Sequence, residues 1–500
     1  MYAGLRRCYQ VLDARLVAKL PRELQLLVRG GALRVGRWLF PHRIIAVHVS
    51  QVMPGPGQAS AWNAPALPEW VSAEMKELAR IDADLHPQGE LMRSLEHYAI
   101  PCEYDEPGRM YAELRRKVIG PVDVVLLVPW LKTGGADLGA LHFANALTGN
   151  LQQRVLVIST EAAESPWAER LQPQVQFISL GETVKSLPNH PGNNHQLIVL
   201  VRLLLQLAPR VIHVMNSRLG WEAIRCHGLA LRHASKLYAS LYCDDVSAAG
   251  QLVGYARSYL TSCYSTLDAV VTDNTAVYRA WVAEMGVPAR LFHVVPFPAP
   301  VGKSGPASTG VSRKRLLWAG RMDRQKRPDL LVRIAQALPE FHIDVYGSSV
   351  WDGDTRSAKE LLDLSNVSYH GPYNDFSALV RPEHLAFVYT TAWDGMPNIL
   401  LEAAAAGLPV IAPQIGGIAD FLPTGHLIRD PEDVEGYCEA IRALAERPHL
   451  RASRIEQQNE RLQHGRTWAD FVDQVSALPD YVARQTEPGQ KTEAAVAAPH

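Results

Sequence analysis

At 500 residues the chain is too long for one compact core and implies two or three domains. Hydrophobic residues at 47% and charged residues at 20% fit a soluble globular enzyme, and a net charge of −1 supplies no global field to draw in nucleic acid. The six cysteines, at 8, 102, 226, 243, 263 and 438, lack Cys-x-x-Cys spacing, which argues against a zinc ribbon or a disulfide framework and for a reducing compartment. No apolar run reaches membrane-spanning length. Arg6, Arg7, Asp13 and Arg15 break up any signal-peptide core.

Residues 1–45 hold nine Arg or Lys but only Asp13 and Glu23, with Leu16, Val17, Leu20, Leu24, Leu26 and Leu27 recurring between them. This basic amphipathic pattern suits a helix on an anionic membrane surface or a helical extension packed on the main body. Residues 50–72 are rich in Pro, Gly, Ala and Ser and read as a loop, and 73–118 as charged helix.

A different organisation begins at Val122–Val128, a short apolar, β-branched run expected of a strand buried in a parallel sheet. The turn Gly134-Gly135 and a helix from Ala136 to Leu147 follow, the opening of a nucleotide-binding α/β domain, although G-x-G-x-x-G is not met. Strands at Arg154–Ser159, Val175–Leu180, Arg210–Met215, Leu237–Leu241 and Ala269–Thr272, with helices between, make one doubly wound domain closing near Pro298. Residues 299–313 form a linker by composition. A second α/β set runs through Arg315–Ala319, His342–Tyr346, Val367–His370, Leu385–Tyr389 and Pro409–Ala412. The tail after about Arg484 is polar and Ala/Pro-rich, as in disordered segments. Two open sheets joined by a linker imply a cleft at the strands' carboxyl ends.

Two stretches face that cleft. In Trp393–Gly407, Gly395 permits close backbone approach, Pro397 suits a first helical turn, Leu400–Ala406 are helix formers, and Gly407 with Pro409 ends the helix. The free amides at the helix start make an anion site, and Glu402 inside an Ala-rich helix needs donors such as sugar hydroxyls. An ordinary buried helix with one exposed Glu fits the same residues. In Ala319–Asp329, Arg321 and Lys326 project from a loop between a strand and a helix opened by Pro328. Two such cations suit a diphosphate, gripped bidentately by Arg and met by Lys as a point charge. A solvated basic turn, with Arg324 and Arg327, is the other reading of that loop.

These residues carry a resemblance. From about 120 to 480 the chain resembles a retaining glycosyltransferase of family 4, with the GT-B fold, of the bacterial surface-polysaccharide type. Ala319-Gly-Arg321…Lys326-Arg-Pro-Asp329 is similar to the family's pyrophosphate-gripping loop. Asp394-Gly-Met-Pro-Asn-Ile-Leu-Leu-Glu402…Gly407-Leu-Pro-Val410…Gly416-Gly417 is similar to its E-x₇-E segment and the loop after it. The first half matches more loosely, through Gly134-Gly135 and Asp268–Asp273, and residues 1–118 are not covered.

The resemblance implies an α/β architecture of two doubly wound Rossmann-like domains facing a cleft, plus a helical N-terminal extension. The expected division is an extension at 1–118, an acceptor domain at 119–298, a linker at 299–313, a nucleotide-sugar donor domain at 314–464, a helix crossing back at 465–484, and a tail at 485–500. It implies Arg321, Lys326 and Asp394 as catalytic groups, with Gly135, Gly395, Met396, Pro397, Asn398 and Glu402 binding the donor; no Asp-x-Asp pair lies near these loops in the donor half, so no metal or cofactor is expected. Arg321 and Lys326 would hold the diphosphate, Glu402 the ribose hydroxyls, Asp394 the donor sugar or its phosphate, and the amides of Gly395–Asn398 the sugar. The substrates would be a UDP- or GDP-linked sugar and a glycan or lipid-linked acceptor, in the cytoplasm or at the inner face of the plasma membrane.

Two departures stand out. Asp394 is one methylene shorter than the family's usual Glu, and the family's early-domain His falls where this chain reads Leu241-Tyr-Cys-Asp-Asp245. There Asp244 or Asp245 either replaces the His or ends a strand. His213 reads as a strand residue near the cleft, and Asp352 and Asp354 as a turn. A catalytically inactive scaffold of the same fold and a nucleotide-sugar epimerase are the competing functions.

Overall fold

The computed structural model describes residues 69–81, 102–161, 164–185, 193–300, 314–348 and 355–483, with Val17–Lys19, Leu24, Val28 and His86 besides. Most of the basic stretch 1–45, the loop up to residue 68, the linker from 301 to 313, Asp352 and Asp354, and the tail beyond 483 lie outside the described residues. Residues 1–99 form one compact unit and 100–500 another. In the first, the described elements are a 3₁₀ turn at Val17–Lys19 and the helix Glu69–Leu78, beyond whose end Arg80 pairs with Glu77 at 2.8 Å. No helix among the described residues is long and apolar enough to cross a membrane.

The second unit contains two parallel sheets. The first holds β1 (Val124–Val128), β2 (Val155–Ser159), β3 (Gln176–Ser179), β4 (Val211–Met215) and β5 (Lys236–Ser240). A small antiparallel hairpin, β6 (Asp245–Val246) with β7 (Leu252–Val253), then leaves it, before β8 (Ala269–Thr272) and β9 (Phe292–Val294) complete it. The strand order is β3-β2-β1-β4-β5-β8-β9. The second sheet is built from β10 (Arg315–Ala319), β11 (His342–Tyr346), β12 (Val367–Gly371), β13 (His384–Val388) and β14 (Val410–Ile411), in the order β12-β11-β10-β13-β14. Every residue of β1, β2 and β4 is buried, which explains the unbroken apolar run of β1 and the mostly apolar runs of β2 and β4, with Ser159 and His213 as the polar exceptions: helices cover both faces. The order reverses between β1 and β4 and again between β10 and β13, so the carboxyl ends of those strands diverge and leave crevices.

Two helices tie the ends of the unit to the first sheet. Helix Cys102–Lys117 buries Met110 and Leu114, and Val118 just beyond it, in the same core as Leu200 and Leu204 of helix Asn193–Leu207. The sequence places 1–118 together as an extension. The apolar spacing of Met110, Leu114 and Val118 instead commits this last helix to the first sheet's core. Helix Trp468–Ser476 follows the second sheet but packs on the first, with Phe471, Val475, Leu478 and Tyr481 buried beside Val124, Leu126 and Phe143. Thr467 starts it with a reciprocal cap to Asp470.

His213 belongs to this packing. Its ring is fully buried, 2.5 Å from the Tyr481 hydroxyl and 2.8 Å from Ser240 Oγ, and burial lowers its pKa to about 3. It is a neutral core histidine. Asp244, beyond the end of β5, pairs with Arg257 at 2.6 Å and accepts from the Trp281 indole at 3.0 Å, while Asp245 lies exposed in the hairpin.

Candidate functional site

The crevices open onto a cleft of about 1820 Å³ lined by the loops after β1, β5, β10 and β13 and by helix Asn398–Ala405. The loop after β10 is locked before any charge is considered. Gly347 sits at φ 150, and a Cβ there would stand 1.8 Å from the Gly320 carbonyl oxygen, so only glycine lets the loops after β10 and β11 pass. Asp323 Oδ1 accepts the Lys326 amide at 3.0 Å. Thr391 and Thr390, buried at the end of β13, donate to the carbonyls of Gln325 at 3.0 Å and Lys326 at 2.6 Å. The two loops are thus one backbone-bonded structure.

That structure sorts the four cations of the loop. Arg327 is bound by Asp329, with Nε–Oδ1 at 2.8 Å, and by Glu432. Arg324 reaches the other domain and donates to the Val246 and Ser247 carbonyls at 2.9 and 3.1 Å. Lys326 turns into the cleft, where Nζ lies 2.5 Å from both Asp394 Oδ2 and the Tyr389 hydroxyl. Tyr389 closes the triangle by donating to Asp394 Oδ2 at 2.5 Å. Burial, with Asp394 beside it, holds the Tyr389 phenol protonated, well above its ordinary pKa. Arg321 also lines the cleft, half exposed, 3.3 Å from Asp323 and hydrogen-bonded to Gln325. A loop that composition also allows to be a solvated basic turn therefore directs two of its cations, Arg321 and Lys326, at one space.

Helix Asn398–Ala405 starts one residue later than its composition suggests, with Pro397 as the N-cap, and its last carbonyls end at left-handed Gly407, φ 76. Not all the expected amides are free. Gly395 N–H is taken by the side chain of its own neighbour, Asp394, at 3.1 Å, and Met396 N–H by Asp273 of the first domain. Pro397 has none. Among the described residues the amides of Asn398 and Ile399 remain without an acceptor, so the anion-facing donors lie one step inside the helix. Glu402, a turn further, lines the cleft without a side-chain hydrogen bond among the described residues. Burial and then Asp375 push its pKa up to about 7, against Arg170, which lowers it. A half-buried carboxyl without donors is what a ligand's hydroxyls would complete.

The facing wall approaches closely because glycines permit it. A Cβ on Gly395 would lie 2.6 Å from the Tyr242 carbonyl oxygen, and one on Gly417 would lie 2.3 Å from Asn274 Cβ. Thr275 bonds Asp420 through its amide at 2.5 Å and its hydroxyl at 2.7 Å. Gly134 is extended, at φ 173, and Gly135 is not left-handed either, so the turn itself does not require them. A Cβ on Gly135 would instead stand 3.4 Å from Asn398 Nδ2, which sets that loop against the helix start.

All nine residues singled out in the sequence line this one cleft. Three others there, of which only Asp273 falls in a stretch that carries the resemblance, are not marked as site residues by the sequence. Tyr389 reads as the last residue of an apolar strand, and its place at a carboxyl end was the available signal. Asp273, buried at the end of β8, has its pKa raised to about 7 by burial despite the Asn274 amide at 2.7 Å. Asp137, buried in the first turn of helix Gly135–Asn145, is likewise raised to about 7 by burial, although the Lys132 amide and the Trp130 indole donate to it. In the stretch Leu241–Asp245, Tyr242 and Cys243 line the cleft, and burial pushes the Cys243 thiol up.

Two doubly wound sheets facing a cleft, a final helix returning to the first, and an N-terminal helical region define the GT-B class. A solved structure, Anabaena Alr3699/HepE in complex with UDP, shares the fold at a TM-score of 0.56, with 16% identity, over 71% of this chain and 98% of that one. Residues 313–447 match the family described as "Glycosyl transferases group 1". D-inositol 3-phosphate glycosyltransferase 1 of Catenulispora acidiphila is 26% identical over 405 residues, 71% of this chain and 93% of that protein. O-antigen biosynthesis glycosyltransferase WbnH of Escherichia coli is 26% identical over 126 residues, 25% of this chain and 36% of that protein.

Proposed function

We propose that the protein is a retaining, metal-independent glycosyltransferase that moves a sugar from a nucleoside diphosphate sugar to an acceptor hydroxyl. The observation that carries this is the convergence of Lys326, Arg321 and the free amides of Asn398 and Ile399 on one cleft. As the bond to the sugar breaks, positive charge grows on the ring and negative charge on the diphosphate. Fixed cations and amide dipoles aimed at the leaving diphosphate stabilise that separation, each typically by a few kcal/mol. Lys326 is pre-oriented by Asp394 and Tyr389, so little reorganisation is needed when the phosphate enters. In this reading the protein's own cations do the work that a metal would do, and no cofactor takes part. Glu402 holds the ribose hydroxyls, and Asp394 the donor sugar.

UDP is the first donor nucleotide to test, because HepE was solved with it, and GDP the second. The names of the relatives extend from an inositol phosphate acceptor to O-antigen synthesis, which supports a glycan or lipid-linked acceptor in lipopolysaccharide or another surface glycan. Placement at the inner membrane face rests on the basic stretch 1–45 alone. Incubation with a panel of UDP- and GDP-sugars, with released nucleotide quantified and the product anomer read by NMR, tests the reading. Release with retained configuration is expected. Inversion removes the retaining assignment, and no release from any donor with any glycan acceptor removes the enzyme.

A further inference from the structure

The first domain's wall of the cleft carries two tryptophan–cation pairs that donor binding does not explain. Lys132 Nζ lies 3.7 Å from the centre of the Trp130 ring, and the guanidinium carbon of Arg170 lies 4.3 Å from that of Trp167. All four residues line the cleft. They come from different loops, after β1 and after β2, and Leu131 joins them. Its buried amide donates to Ser165 Oγ at 3.1 Å, and its carbonyl accepts the Trp167 amide at 2.9 Å. Asp137 fixes the first pair from behind, accepting from the Lys132 amide and the Trp130 indole. Arg170 is near enough to Glu402 for its charge to lower the pKa there, and both line the same cleft.

Neither Lys132 nor Arg170 has an ion-pair partner among the described residues. Asp137 and Glu402 feel these charges without pairing with them, and two cations free of ion pairs on one concave wall attract an anion. Laid on indole rings, they are already ordered, so binding costs little side-chain entropy. The half-buried rings also offer apolar surface to the C–H faces of a sugar. The donor diphosphate has its own matching charges on the opposite wall, at Lys326 and Arg321. We propose that Lys132 and Arg170, with Trp130 and Trp167, form the acceptor subsite and that the acceptor is an anionic saccharide, bearing a phosphate or carboxylate near the accepting hydroxyl. This rests on the glycosyl-transfer reading above.

The test titrates glucose, glucose 6-phosphate and glucuronic acid into the full-length protein saturated with UDP or GDP, whichever binds, with affinity read by calorimetry and tryptophan fluorescence. At least one charged sugar is expected to bind at least about tenfold more tightly than glucose. The double variant Lys132→Gln/Arg170→Gln should erase that preference while its melting temperature and its nucleotide affinity, within about twofold, stay those of the wild type. Equal binding of charged and neutral sugars, or absence of sugar binding, overturns the proposal. A double variant that loses nucleotide affinity but keeps the charged-sugar preference also overturns it, by giving these cations to the donor. If neither UDP nor GDP binds the wild type, the glycosyl-transfer reading itself fails first.

Discussion

Lys326 and Asp394, 68 residues apart in sequence, meet with Nζ 2.5 Å from Oδ2 on the wall of the cleft. The pair is mostly buried, each side chain being 14% exposed, and it joins the loops after β10 and β13. In the proposed reaction this pair would hold the ammonium where the donor diphosphate enters.

Lys326→Ala should remove transfer, with a loss of roughly 10²–10³ in kcat, the range for deleting one fixed group that stabilises developing charge. Nucleotide release by the variant, beside its thermal melt, checks this. The fold should persist, although Asp394 loses its counter-ion and the melting temperature should fall.

Tyr389→Phe should be milder. It deletes one hydroxyl that accepts from Lys326 and donates to Asp394. About 1 kcal/mol is the usual net worth of such a bond, so a loss of roughly five- to tenfold in kcat/KM is expected. A variant as fast as wild type would show that the hydroxyl does not hold the pair in its working geometry.

Gly395→Ala adds a methyl 2.6 Å from the Tyr242 carbonyl oxygen, a backbone atom that cannot swing aside. The two walls must separate, and overpacking of this kind costs about 1–3 kcal/mol. Lower activity together with a lower melting temperature is expected. A control, Gly425→Ala, has nothing within 4 Å of the new methyl and should change neither.

Asp137, Asp273 and Glu402 each titrate near 7 in the folded protein, raised first by burial from ordinary values of 3.8, 3.8 and 4.5. The folded state therefore binds more protons than the unfolded chain between about pH 4 and 7. Their contribution to stability is fully present below their ordinary pKa values and is lost as pH rises through about 7. The melting temperature of the ligand-free protein should show this decline, and Glu402→Gln should reduce its slope. An unchanged slope would place Glu402 in a more hydrated setting.

Much of this was legible from the chain because burial writes itself into composition. Val124–Val128 lies covered on both faces and so reads as an unbroken apolar run. Arg321, Lys326, Asp394 and Glu402 stood out as charges on loops and helices beside such runs. What stayed hidden depends on contacts between distant segments. Tyr389 looks like any strand residue until Lys326 is placed beside it. Nothing local shows that Asp273 takes the Met396 amide, which leaves the free donors at Asn398 and Ile399. Helix Cys102–Lys117 has a charged composition that disguises the three apolar residues around positions 110–118 that bind it to the first sheet.

The proposed transfer requires this cleft to hold a nucleoside diphosphate against Lys326. Calorimetric titration of UDP and GDP into the wild type and Lys326→Ala, in one buffer at one ionic strength, tests it most directly. Saturable binding of one nucleotide to the wild type, weakened at least about tenfold in the variant, is expected. Equal affinity in both proteins, or no binding of either nucleotide to the wild type, would contradict it.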